Sequence, residues 1–182
     1  MKRIKLLTRP ELNEMQCLAY DAVMAGPRGR VPAPMTAWLY SPEFANRAQN
    51  LGAYLRYDTS LPPRLSELAI LVVARIWTAQ YEWCVHKKEA LKAGVEPEII
   101  AGIAQRQRPQ FVHVPDAIVH DFSMELCTSH RVSDKLYRNT LEAIGERGTV
   151  ELVGLLGYYS LIAMTLNTFE IDVPEGFHPE LE

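Results

Sequence analysis

Cysteine is scarce in this chain. Cys17, Cys84 and Cys127 are odd in number and lie far apart in 182 residues. That argues against a disulfide scaffold and for a reducing compartment. An excess of one charge is missing too. With 19 Lys and Arg against 22 Asp and Glu, the net charge is −3, and nothing points to nucleic acid as a partner. Strand signals are almost absent, since FVHV at 111–114 is too short to matter. There is no internal repeat, no low-complexity run, no phosphate-cradling glycine loop, no dinucleotide fingerprint and no serine-nucleophile motif. No H-E-x-x-H or paired Cys/His set occurs either, so no metal is expected. The opening MKRIKLL runs into TRPELNE, too short a stretch for a signal peptide. The expected location is the cytoplasm.

What is present describes a soluble globular chain. Hydrophobic residues make up 48% and charged residues 23%. The length suits one domain over residues 1–182 with a sizeable core. From Leu152 to Phe169 there is no charged residue, which borders on a membrane span. Its flanks are acidic (Glu151, Glu170 and Asp172), whereas a span is usually flanked by basic residues. The expectation is therefore a central helix and no membrane. Gly154, Gly157, Ser160 and Ala163 recur every third residue and would let another helix approach closely.

The periodicity is helical nearly throughout. Glu11 to Ala25 reads as an amphipathic helix, and GPRGRVPAP at 26–34 as a loop. Ser41-Pro42-Glu43 starts a helix to about Tyr57, with Ser41 as a capping hydroxyl. SLPPR at 60–64 breaks the chain. Leu65 to Ala93 is helical but long, with a break expected near Trp77 to Gln80 and Thr78 as a cap. Helices follow from Glu96 and over 115–129, then from Ser133 to Gly145 and from Thr149. The tail after Asp172 reads as irregular. The fold class is all-α, an irregular helical bundle.

The chemistry concentrates in YEWCVHKKEALKAG, residues 81–94. Glu82 and His86 stand four apart, on one helical face. A carboxylate beside an imidazole fixes its tautomer and suits proton transfer; the same spacing also makes an ordinary solvated ion pair. Glu67 lies in the apolar run ELAILVVA, either favoured by a helix start or turned into a cavity. Arg30 in the GRVPAP loop either grips a substrate carboxylate or bonds nearby carbonyls. Tyr81 and Trp83 flank the pair, as a pocket wall or as core. Cys84 reads as a small buried hydrophobe. His113, Asp116 and His120 are interrupted by Pro115, so they do not share one helical face.

The run RLSELAILVVARIWTAQYEWCVHKKEALKAG, residues 64–94, resembles the carboxymuconolactone decarboxylase family. The match rests on R-x-x-EL with Glu67, on YEW-x-x-H at 81–86, and on A-x-x-AG at 90–94. GRVPAP, SPE at 41–43 and VELVGLLGYYSLIAMTLN are similar as well, so the resemblance spans about 26–173. It implies the all-α fold shared with alkylhydroperoxidase D-type proteins. It also implies cofactor-independent decarboxylation or proton transfer on a small carboxylated lactone or keto acid, of the kind met in aromatic degradation. On that reading His86 is the proton donor, Glu82 orients it, Glu67 completes the relay and Arg30 holds a carboxylate, with Tyr81 and Trp83 at the substrate. The partners implied are a small carboxylate substrate and further copies of the chain, as a trimer or hexamer. The sequence departs from thiol peroxidases of this type, which carry Cys-x-x-Cys where Ala79 and Glu82 stand here. A dithiol redox protein is therefore the weaker alternative. A non-catalytic helical oligomer is the other.

Overall fold

The computed structural model describes residues 3–182. A 3-10 turn over Arg9–Glu11 precedes eight helices. They are α1 Glu14–Ala25, α2 Ala33–Trp38, α3 Pro42–Tyr57, α4 Pro63–Ile76, α5 Gln80–Lys92, α6 Pro97–Ala104, α7 Val114–Ser129 and α8 Asp134–Phe169. No strand occurs among the described residues, so the fold is all-α.

Local chemistry sets most of the starts. At α1, Asn13 accepts from the Gln16 N–H at 3.0 Å, and the Gln16 side chain accepts from the Asn13 N–H in return. Proline occupies the first turn of α2, α3, α4, α6 and α7, where its missing N–H costs nothing. Ser41 makes no side-chain cap, contrary to the sequence expectation; Pro42 and Glu43 suffice to start α3.

The centre of the molecule is α4, which packs against α5, α7 and α8. Every residue from Leu65 to Arg75 is buried. The break after it falls where the sequence placed it. Thr78 has a φ of 48°, the left-handed region that a β-branched residue rarely adopts. Thr78 is not the cap, however. Its hydroxyl instead accepts from Arg75 and Arg106, each at 3.2 Å, and Ala79 occupies the cap position. The turn reverses the chain and lays α5 back along α4.

Two expectations for the last third change. The helices from Ser133 and Thr149 run together as α8, across a break at Gly145. Its φ of 71° and ψ of 176° lie in a region open essentially to glycine. By length and composition the apolar part of α8 could cross a membrane, yet most of it is buried within the bundle. The small-residue stripe is not a helix seam throughout. Gly154 faces Leu55 of α3, but Gly157 faces open space. The close approach comes from the other side: a Cβ on Gly52 would lie 2.0 Å from the Tyr158 hydroxyl.

The tail is irregular, as expected, but pinned. Gln80 accepts from the Glu180 and Leu181 N–H groups at 2.9 and 3.1 Å and donates to the Leu181 carbonyl at 2.5 Å. Leu181 is buried with Leu68, Trp83 and Ile100.

Candidate active site

Residues from four parts of the chain meet in one small cavity of about 50 Å³. From α5 come Tyr81, Glu82, Val85 and His86. The loop before α2 brings Arg28 and Arg30, α3 brings Arg56, and α8 brings Tyr159 and Ile162. A space of that size holds a few waters or the reacting end of a small molecule.

His86 is fixed from behind. Its Nδ1 lies 2.7 Å from Glu67 Oε2, and both side chains are buried. Glu67 sits on α4, so the Thr78 turn is what brings the two together. A carboxylate at that distance accepts from Nδ1–H, which leaves Nε2 for the cavity. The ring of Tyr159 stands edge-on to the imidazole, 4.9 Å between centroids at 85°. Such contact locks the ring plane.

The sequence paired His86 with Glu82, and the structure corrects this. The carboxylate that orients His86 is Glu67. Glu82 is 2% exposed, and neither of its oxygens has a hydrogen-bond partner among the described residues. Burial pushes its carboxyl well above the usual range. The i, i+4 spacing did place both side chains at one cavity, but not in contact with one carboxylate–imidazole bond.

Charge at this cavity is one-sided. Among the described residues, Arg28, Arg30 and Arg56 have no ion-pair partner; Arg28 and Arg56 lie over the ring of Tyr57, 5.8 and 5.4 Å from its centroid. Burial works against the charge on Arg56, but Tyr159, Tyr57, Glu67 and Glu89 outweigh it and raise its pKa. Burial pushes Tyr159 well up and Tyr158 to about 12, so both stay neutral phenols.

Tyr81 reaches the cavity, as does Arg30. Trp83 does not, which corrects its assignment. It lies one residue round the helix, 1% exposed, with its indole N–H 3.3 Å from Glu180 Oε2. There it borders a separate cavity of about 750 Å³ with Lys87, Leu91 and Ile100, a space that touches none of Glu67, Glu82 and His86. Cys84 also turns away. It is buried, its thiol raised by that burial, and Sγ lies 3.3 Å from the His178 carbonyl.

His113, Asp116 and His120 do not converge. Arg64 donates to Asp116 at 2.8 and 2.5 Å, while His120 Nδ1 lies 2.9 Å from Asp121. No cluster of three or more His, Cys, Asp or Glu able to hold a metal occurs among the described residues. Sequence reading missed Arg28, Arg56 and Tyr159. Arg28 stood two residues from Arg30 in the same loop and could have been found there. Arg56 and Tyr159 carried no local signal, because only packing of α3 and α8 delivers them.

Comparison with known proteins agrees with this architecture. Over 96% of its length the chain superposes on 93% of a peroxidase-related protein from Ralstonia eutropha JMP134, described as an alkylhydroperoxidase AhpD core, with a TM-score of 0.77 and 14% identity. A peroxidase-related protein from Silicibacter sp. TM1040 matches over 100% of this chain and 96% of its own, at 13% identity and a TM-score of 0.77. The debrominase Bmp8, as a cysteine-to-alanine variant in complex with 2,3,4-tribromopyrrole, matches over 96% and 95%, at 12% identity and a TM-score of 0.75. At such identities the likeness concerns the fold. No curated protein matches the sequence. The model of the carboxymuconolactone decarboxylase family matches residues 42–110, a narrower span than the sequence resemblance. Through that segment, which holds Arg56, Glu67, Glu82 and His86, the chain is similar to the carboxymuconolactone decarboxylase family, and its fold is alkylhydroperoxidase D-like.

Proposed function

We propose that this protein catalyses cofactor-independent decarboxylation, with proton transfer to carbon, on a small carboxylated lactone or keto acid. One observation carries the reading: three guanidiniums without a salt bridge among the described residues share a small cavity with a histidine held by a buried carboxylate. Unpaired arginines there favour an anionic ligand, and their planar forks suit a carboxylate.

The reaction needs few parts. The bond from the ring or chain carbon to the carboxylate breaks, and carbon dioxide leaves. The electron pair stays behind, delocalised into the conjugated carbonyl. His86 then delivers a proton to that carbon from Nε2 and regains one from water. Glu67 holds the imidazole in the orientation that points Nε2 at the cavity. Arg28, Arg30 and Arg56 would hold a carboxylate of the substrate. Tyr81 and Ile162 would cover the ring and exclude water, which strengthens each electrostatic contact.

Thiol chemistry of the kind suggested by peroxidase-related neighbours finds less support. The only cysteine on α5 faces the tail and not the cavity. The protein is proposed to be a soluble, cytoplasmic homo-oligomer. The test is a screen of carboxylated lactones and keto acids for carbon dioxide release. A substrate should emerge whose turnover is lost in Arg56→Met. No release from any member, with no anion binding at the cavity, would leave the non-catalytic reading in place.

A further inference from the structure

Glu82 is the odd member of the cavity. Its two oxygens are buried and meet no donor among the described residues, although three guanidiniums line the same space. An ionised carboxylate placed so would lack both water and hydrogen bonds, and a buried carboxyl avoids that cost by keeping its proton. Desolvation acts in the same direction. A protonated carboxyl is a hydrogen-bond donor. Among the described residues none accepts from it, so its acceptor is left to be supplied from the cavity.

We propose that Glu82 works as an uncharged carboxylic acid that donates a hydrogen bond into the arginine-lined cavity, so that the ligand carries both a carboxylate and a carbonyl or enol oxygen. The inference rests on the decarboxylase reading and adds which group of the cavity meets the substrate's carbonyl oxygen. Plain carboxylic acids satisfy the arginines alone; a keto acid or carboxylated lactone satisfies Glu82 as well. The chemistry fits the step. When carbon dioxide departs, the electron pair moves onto the carbonyl oxygen, and a neutral donor strengthens its bond to that oxygen as the charge grows. An ionised Glu82 would repel it. Glu82 keeps its proton throughout, while His86 protonates carbon. Two groups one helical turn apart on α5 thus take different parts because their surroundings differ: His86 has Glu67, and Glu82 has no partner.

Two measurements test this on the full chain. Infrared difference spectra of ligand-free protein at neutral pH should show a protonated-carboxyl stretch that is lost in Glu82→Gln. Absence of that band overturns the proposal, whatever the protein catalyses. Calorimetry with 4-oxopentanoate and pentanoate then compares two acids that differ by one carbonyl. The wild type should prefer the oxo acid by about three- to tenfold, the worth of one hydrogen bond. Glu82→Met should abolish the preference, and Glu82→Gln should keep part of it through its amide N–H. Equal affinity of both acids for the wild type overturns the role of Glu82 but leaves the arginine site standing. If neither acid binds, the arginine site and this proposal fall together.

Discussion

Glu67 and His86, nineteen residues apart, meet at 2.7 Å inside the bundle because α4 and α5 are hinged at Thr78. The pair gives the candidate site its one oriented imidazole. If it delivers the proton, His86→Ala should lose about 10²- to 10⁴-fold in turnover on any substrate found. Glu67→Gln should lose less, since it keeps a hydrogen bond to Nδ1 and gives up only the charge. Steady-state kinetics with circular dichroism separates both from unfolding. Wild-type turnover in His86→Ala would remove the histidine from the mechanism.

Glu82 makes stability depend on pH in a specific direction. Its folded carboxyl is raised well above the reference value of 4.5, so the native state holds a proton that the unfolded state releases. That contribution is complete below about 4.5 and is lost as pH rises through the folded value. Thermal melts across pH 5 to 8 should therefore show wild type losing ground against Glu82→Gln as pH increases. Glu82→Met should be more stable than wild type by about 1 to 3 kcal/mol, since it removes an unsatisfied buried group. Parallel melting curves at every pH would show that Glu82 is ionised in the native state.

Gly52 should tolerate no side chain. Its missing Cβ leaves room for Tyr158, whose hydroxyl would otherwise lie 2.0 Å away. Gly52→Ala should cost about 1 to 3 kcal/mol in chemical denaturation by overpacking the α3–α8 contact. Tyr158→Phe should be neutral or stabilising, because the buried hydroxyl has no partner among the described residues.

Cys84→Ser should leave native activity within a few-fold, because the thiol faces the tail and its pKa is raised, not lowered. Peroxidase turnover with a dithiol donor should be absent. A complete loss of activity in a folded Cys84→Ser protein would make the thiol the reacting group.

Apolar side chains crowd the outer faces of α3 and α8: Leu51, Tyr54, Val150, Val153 and Met164 are all exposed. An apolar face of this kind is best covered by another copy. Sedimentation should return a multiple of 20.6 kDa at micromolar concentration, a trimer or hexamer. A monomer would refute it.

Much of the fold was written locally. Pro42, Pro63 and Pro97 start helices wherever they stand, and the 3.6-residue pattern carries α3 to Tyr57. The position of His86 one turn after Glu82 is likewise a property of the helix, as is the turn between α4 and α5 near Thr78. Which carboxylate holds the imidazole was not local. Spacing offers Glu82, and only tertiary packing decides otherwise, because α4 stacks Glu67 against Nδ1 while Glu82 has no donor among the described residues. The face of Trp83 was decided in the same way, by where α6 and the tail supply apolar cover. No local pattern singles out Arg56 or Tyr159 within their helices, and they enter the cavity through the packing of α3 and α8. A helix sets which residues share a side at once, from its own geometry; what lies opposite that side is set by chain folded from elsewhere.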